Sequence, residues 1–395
     1  MAYSAKGLLF GVDDYSLVEQ YFHNRDINDF SYTKKDGSKK KDDNTAVESI
    51  IATINKQRED IQQEIDMDFS AIYNLSNDKG TDNLLNEAKD QGVDVPVTIL
   101  TKSTAQDLSF WFFNNHKAVF NQSDAVQPFL SSGWKRVPVP NKNVDIVSKK
   151  KDALEKALRS FYAPEGCGQY CLVDIYPKKD RVYVVAYVSA RGINDVVPDE
   201  ATKKLKKTAR RDAIKIYFLY LQNTDDEDGG ELEIKAKGGY PRQRDLLGVF
   251  SKSVLDHELD DTKQKYDLEI LKNKNFSLIY DAEDEVEGWW LKALDLRTSN
   301  MQTHIKVSIR DENKIGVETM WDQLRQLQLD IRFGGMLINN AEMKIKFKPT
   351  KKHPRGTKTF SVSWKDSSTL NDIDDLDIKV GQILKKSKID RGFSN

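Results

Sequence analysis

Residues 214–221 read IKIYFLYL and form a nearly continuous apolar run in the middle of the chain. Such a run predicts a central strand of a sheet that is covered on both faces. Residues 170–176 and 181–189 are two more β-rich runs, joined by Pro-Lys-Lys-Asp, which is typical of a hairpin turn. Leu232, Ile234 and Ala236 alternate with charged residues and predict a half-buried partner strand. A chain with these segments is expected to build a layered sheet structure.

The N-terminal part shows one well-defined helical pattern. Thr45 and Glu48 have the spacing of a capping box, and isoleucines recur behind them at helical intervals. We therefore predict an amphipathic helix over residues 46–66. Residues 93–100 (VDVPVTIL) are apolar and β-branched and predict a strand, which Pro96 confines to an edge or an end.

A second, strongly basic helix is predicted from Pro198 to about residue 211. Proline suits the first turn of a helix, and Ala201, Leu205 and Ala209 recur every four residues. The outer faces of this predicted helix are cationic. The cations are Lys203, Lys204, Lys206, Lys207, Arg210 and Arg211.

The remaining periodicity favours strands in the C-terminal part. Apolar stripes predict helices over residues 148–162 and 316–331, and the end of the chain at 376–388 predicts a short helix or strand. The predicted C-terminal strands cover residues 266–272, 275–281, 289–296, 303–310, 342–348 and 358–364.

Together these elements predict a multidomain α+β fold, with antiparallel or mixed sheets, flanking helices and a β-rich C-terminal part. The length of 395 residues agrees, because it exceeds that of one ordinary domain. We expect an acidic N-terminal α/β domain at 1–140, a basic central α+β domain at 141–260 and a β-rich domain at 261–395.

Charge is distributed unevenly along the chain, although 61 basic residues nearly balance 62 acidic ones. Residues 1–140 carry 15 basic and 21 acidic residues, a net charge of −6. Residues 141–220 carry 17 and 10, a net charge of +7, and the remainder carries 29 and 31. A basic segment between acidic or neutral flanks indicates an anionic partner.

Several classes of protein are disfavoured. No stretch approaches the roughly 20 apolar residues of a membrane span, and the start lacks an apolar leader, so a cytoplasmic protein is expected. Cys167 and Cys171 have no second Cys or His pair at zinc-finger spacing. Neither a phosphate-binding glycine loop nor a nucleophile elbow is present, so no cofactor and no metal are expected.

The leading hypothesis is a non-catalytic nucleic-acid-binding protein, for DNA or RNA, that acts as a subunit of a larger assembly. Lysine and arginine supply the phosphate contacts of such proteins, and their binding weakens steeply with salt. A role in a phage or in antiviral defence is a conjecture about context. The predicted contact residues are Lys203, Lys204, Lys207, Arg210, Arg211, Arg242, Arg244, Lys351, Lys352 and Arg355.

Three alternatives remain open. Glu233 and Lys235 form an acid-x-lysine triplet, and with Asp174 they would make a Mg²⁺-dependent nuclease centre. The aromatic residues and sheet edges could instead bind a protein partner or a second copy of the chain. The cations could also form an ordinary solvated surface, as expected of a chain with 31% charged residues.

Overall fold

The fold is described from a computed structural model of the full chain. Residues are grouped into two compact units, Met1–Leu130 and Ser131–Asn395. The structure describes residues 3–27, 39–130, 134–199, 204–222, 229–259, 265–298, 304–309, 316–329, 335–350, 353, 356–364, 367–370 and 374–391.

The described part of the first unit is built from helices. Its core contains a cluster of aromatic side chains, in which Phe69 meets Phe110 edge to face at 5.6 Å between ring centres and Tyr21 packs beside both. The helices are α1 (Ala5–Leu9), α2 (Ser16–His23), α3 (Lys39–Asn55), α4 (Glu59–Leu75), α5 (Asp78–Asp90), α6 (Val97–Lys102), α7 (Ala105–Asn115) and α8 (Lys117–Val126).

A buried carboxylate, Asp107, joins the start of α7 to the N-terminal segment. Its Oδ2 accepts from the Thr104 amide at 2.9 Å, completing a capping box with the Thr104 hydroxyl. Its Oδ1 accepts from the amides of Asp13 and Asp14, at 3.0 and 3.1 Å. Asp107 is 1% exposed, so these three donors replace the water that its carboxylate loses on folding.

Two predictions for this unit need correction. The helix expected over 46–66 is two helices, because α3 ends at Asn55 and α4 begins at Glu59, after Arg58 adopts extended backbone. The strand expected at 93–100 is wrong, because α6 starts at Val97 and Pro96 is its N-cap residue. Proline thus marks a helix start here, and the described residues of this unit contain no strand.

The described residues of the second unit build a ten-stranded antiparallel sheet, which confirms the α+β class. Its strands are β1 (Lys135–Val139), β2 (Cys171–Pro177), β3 (Arg181–Ser189), β6 (Ala213–Leu221), β7 (Gly230–Lys235), β8 (Val286–Thr298), β9 (His304–Ser308), β10 (Met336–Phe347), β11 (Thr357–Ser363) and β12 (Ser367–Ser368). Their order in the sheet is β2-β3-β6-β7-β1-β12-β11-β10-β8-β9. Strands β4 (Ile193–Asp199) and β5 (Lys204–Arg210) form a separate two-stranded sheet.

Helices cover the sheet, and the apolar core falls into two clusters. One cluster joins β2, β3, β6 and β7 to helices α10 (Lys151–Tyr162) and α11 (Gly239–Val254). The other joins β8, β10 and β11 to helices α12 (Glu318–Gln326) and α13 (Asp375–Lys386). The predicted domains at 141–260 and 261–395 therefore share one sheet. The helices of this unit are α9 (Val144–Ser148), α10 (Lys151–Tyr162), α11 (Gly239–Val254), α12 (Glu318–Gln326) and α13 (Asp375–Lys386).

Most predicted strands of this unit are confirmed, and two C-terminal ones are wrong. Residues 266–272 contain an isolated bridge from Tyr266 to Asp390 and a 3₁₀ turn at Glu269–Lys272. Residues 275–281 form no strand. Main-chain bonds from Asp267 to Ile389 and from Arg391 to Lys265 tie this segment to the residues after α13. Its apolar residues therefore fill a core without joining the sheet.

Strand β2 forms one edge of the large sheet. The amide of Val173 in this strand donates to the Glu155 carboxylate of α10 at 2.9 Å. A side chain thus takes a donor that would otherwise lie unpaired at the edge, which discourages pairing with another chain.

Candidate nucleic-acid interface

Strands β4 and β5 extend the β3–β6 hairpin beyond the large sheet. Ser189 pairs with Ala213 at the end of β3 and β6, and Ile193 pairs with Arg210 at the start of the smaller sheet. Three residues (190–192) connect β3 to β4, whereas two residues (211–212) connect β5 to β6. One extra residue on one of two paired strands is the mark of a β-bulge. Among the strands that the structure describes, β4 and β5 pair only with each other. We call β4 and β5 together the ribbon.

The ribbon replaces the basic helix predicted from Pro198 to residue 211, so that prediction is wrong. Pro198 lies in β4, opposite Leu205 of β5. The spacing of four between Ala201, Leu205 and Ala209 suggested a helix. In the structure, the main chains of β4 and β5 instead pair in antiparallel register, from Asp199 opposite Lys204 to Ile193 opposite Arg210.

Strand β5 carries the basic charge of the ribbon. It holds four basic residues and no acidic one, whereas β4 holds Asp195 and Asp199. Lys204 and Lys207 are exposed, and Asp199 lies opposite Lys204 in register. The other basic residues of the strand are Lys206 and Arg210, and the predicted contact residue Lys203 lies outside the described residues.

Exposed apolar side chains accompany the lysines on the ribbon. Leu205 is 73% exposed, Val196 is 54% exposed and Ile193 is 45% exposed. At the base of the ribbon, exposed Arg211 donates a hydrogen bond to the Gln169 side chain. The ribbon therefore presents both positive charge and apolar surface to its surroundings.

Arg242, also predicted to bind nucleic acid, contacts a carboxylate of its own chain. It donates through both terminal nitrogens to Glu165, at 2.7 and 2.9 Å, and lies over the Tyr162 ring at 4.8 Å. The hydrogen bonds to Glu165 hold the pKa of Arg242 above its usual value, and Arg242 in turn lowers the pKa of Glu165. Arg244 of the same helix is half-buried. The structure thus gives Arg242 a role within the fold.

The predicted C-terminal contact residues Lys351, Lys352 and Arg355 lie outside the described residues. Three lysines near them in sequence meet partners in their own chain. Lys344 lies over the Trp290 ring at 5.6 Å, Lys346 contacts Glu287 at 2.8 Å, and Lys358 forms an ion pair with Asp377.

The predicted nuclease centre is not assembled. Asp174 lies on β2 and Glu233 on β7, with β3 and β6 between them. Three strand spacings separate their backbones by about 14 Å, whereas two carboxylate oxygens on one Mg²⁺ lie within about 4 Å of each other. Glu233 is 2% exposed and forms an ion pair with Arg136, whose Nε lies 2.6 Å from Glu233 Oε1. Lys235 lies in register with Asp174 across the sheet, but it is on β7, so β3 and β6 also separate these two residues.

A cavity of about 510 Å³ in the second unit is lined by charged residues, and no pattern in the sequence predicts it. Buried Lys265 lies at its wall and donates to both carboxylate oxygens of Glu231, at 2.8 and 2.7 Å. Arg136 approaches Glu231 at 3.9 Å, and Asp390 approaches Lys265 at 3.9 Å. Groups of both signs thus line this cavity, and Lys265 and Glu231 pair with each other.

No protein-family model matches the chain, and the search of curated proteins gives no significant match. Within the described ranges, no three His, Cys, Asp or Glu side chains form a group suited to a metal ion. None of the described helices combines the length and the apolar character that crossing a bilayer requires.

Proposed function

We propose that this protein binds nucleic acid without catalysing a reaction on it, and that the ribbon is its contact surface. The observation that carries the proposal is the composition of β5, with four basic residues and no acidic one on a strand that extends beyond the large sheet. Any role inside a larger assembly would then depend on this contact.

Electrostatics support an anionic partner for the ribbon. Exposed Lys204 and Lys207 lie three residues apart on one strand, so they project to opposite faces of the ribbon and give positive charge to both faces. Phosphate groups that meet these lysines would release the counterions condensed on the nucleic acid. Arg211 at the base of the ribbon extends the positive surface toward the sheet.

Shape supports a nucleic acid over a small anion. The ribbon has seven residues in each strand, so it is about 20 Å long. A two-stranded ribbon of this kind fits the major groove of a duplex and can follow its backbone.

The test is charge reversal at the two exposed lysines of β5. Lys204→Glu with Lys207→Glu should weaken retention of duplex and single-stranded DNA or RNA. The log–log dependence of affinity on salt should become shallower by about 2, because each phosphate contact contributes about 0.9. Fluorescence anisotropy between 50 and 200 mM salt (roughly the range in which such contacts dominate) measures both effects.

The matched control is Lys79→Glu with Lys89→Glu, two exposed lysines of α5 in the first unit. This variant changes the net charge by the same amount, so it corrects for non-specific repulsion. Equal binding by the ribbon variant and the control variant would reject the ribbon as the contact surface. A stoichiometric protein partner that resists high salt would instead favour the protein-interaction alternative.

A further inference from the structure

One face of the ribbon carries both apolar and basic side chains. Leu205 and Lys207 are two residues apart on β5, so they share a face, and Val196 lies opposite Lys207 in register. All three side chains are exposed, with Leu205 at 73% and Val196 at 54%. Neither Leu205 nor Val196 belongs to the apolar cores of the large sheet. We call Val196, Leu205 and Lys207 the apolar face.

The positive charge of the ribbon favours one kind of binding partner for the apolar face over another. A second copy of the ribbon would bring two sets of β5 lysines together, which like-charge repulsion opposes. A polyanion satisfies Lys207 and can still offer apolar groups to Leu205 and Val196, if those groups lie inside a groove lined by phosphates. The major groove of duplex DNA has this arrangement, because the 5-methyl group of thymine projects into it.

Resting on the proposed function, we infer that the partner is B-form duplex DNA, that the ribbon occupies its major groove, and that Leu205 and Val196 contact thymine 5-methyl groups. The groove is about 12 Å wide and about 8.5 Å deep, which admits a two-stranded ribbon. Duplex RNA has a deep and narrow major groove that side chains do not reach, and its uracil lacks the methyl group. Single strands offer no groove.

The experiment compares alternating poly(dA-dT) with alternating poly(dA-dU), which differ only in the 5-methyl group. Each methyl group removed from water is worth about a fourfold change in affinity. With two apolar contacts, the wild-type protein should bind poly(dA-dT) about 4- to 16-fold more tightly. Leu205→Ala and Val196→Ala should each reduce this ratio, and together they should bring it close to 1.

Ile193→Ala provides the matched control, because Ile193 is exposed and apolar but lies opposite Arg210, outside the apolar face. This variant should keep the wild-type ratio. Equal affinity of the wild-type protein for the two polymers, or tighter binding to duplex RNA or single strands, would overturn the major-groove assignment. The proposed function would survive either result if the Lys204 and Lys207 reversal still weakened binding. Duplex binding that is insensitive to that reversal would overturn both.

Discussion

Replacing Lys265 by methionine tests whether the buried ion pair at the cavity wall stabilises the second unit. The side chain of Lys265 is 5% exposed and that of Glu231 is 25% exposed. Removing one partner of a buried pair costs about 3–5 kcal/mol, because the other charge stays behind in a poorly solvating environment. Glu231 keeps some water and the approach of Arg136 at 3.9 Å, so we expect the lower limit, about 3 kcal/mol.

Chemical denaturation followed by fluorescence measures the free energy of unfolding, and the melting temperature should fall by about 6–12 °C. Adding Glu231→Gln to Lys265→Met removes the unpaired charge and should restore most of the loss. Lys252→Met is the control, because Lys252 and Glu258 form an exposed pair at 3.4 Å and should contribute less than about 0.5 kcal/mol. A loss below about 0.5 kcal/mol for Lys265→Met would refute the reasoning.

The pH dependence of this loss follows from the two shifted groups. Burial acts to raise the pKa of Glu231, but Lys265 and Arg136 outweigh it and hold that pKa below its usual value. Burial acts to lower the pKa of Lys265, and the attraction of Glu231 outweighs it. The lowered Glu231 pKa stabilises the fold above about pH 4.3, the unfolded value, and this contribution is lost as pH falls through the folded pKa. The raised Lys265 pKa stabilises the fold below about pH 10.4, and this contribution is lost as pH rises through the folded pKa. The difference between wild type and Lys265→Met should therefore shrink in strong acid and in strong alkali.

Asp107→Ala should destabilise the first unit by about 3 kcal/mol in thermal denaturation, because it leaves the amides of Asp13, Asp14 and Thr104 without their acceptor. Asp107→Asn keeps one carbonyl oxygen and should lose less; an equal loss in both variants would argue against the hydrogen bonds. Glu155→Ala should cost about 1 kcal/mol and promote self-association by freeing the amide of Val173 at the edge of the sheet. Unchanged sedimentation of the Glu155 variant at high protein concentration would count against edge protection.

The strands of the large sheet could be predicted where their side chains face a core. Residues 181–189 coincide with β3, and residues 214–221 lie within β6, because burial on both faces leaves an apolar run in the sequence. The ribbon could not be predicted in this way. The described apolar side chains of the ribbon, Ile193, Val196 and Leu205, are exposed and belong to no apolar core, so burial imposes no alternation of polar and apolar residues on them. Ala201, Leu205 and Ala209 match a helix by spacing alone.

The role of a residue whose partner lies far away in the sequence also cannot be predicted from one sequence. Arg242 meets Glu165, which is 77 residues away, and Arg136 meets Glu233 on a neighbouring strand. Residue type alone groups Asp174 with Glu233, but the order of strands in the sheet keeps them apart. The predicted basic helix is a strand, on which Lys204 and Lys207 point to opposite faces, so the shared helix face expected of these cations does not form and their contacts with nucleic acid stay a prediction.

Main-chain pairing between β4 and β5 holds the ribbon together, which has a consequence for how its sequence can evolve. Substitutions at Val196, Leu205 or Lys207 disturb no packed interior, so folding places little restriction on them. Descendants of this chain could exchange these side chains for others and acquire a new target while the sheet beneath stays as it is. Diversity among relatives should then concentrate on the ribbon, and residues such as Asp107 and Lys265 should vary least.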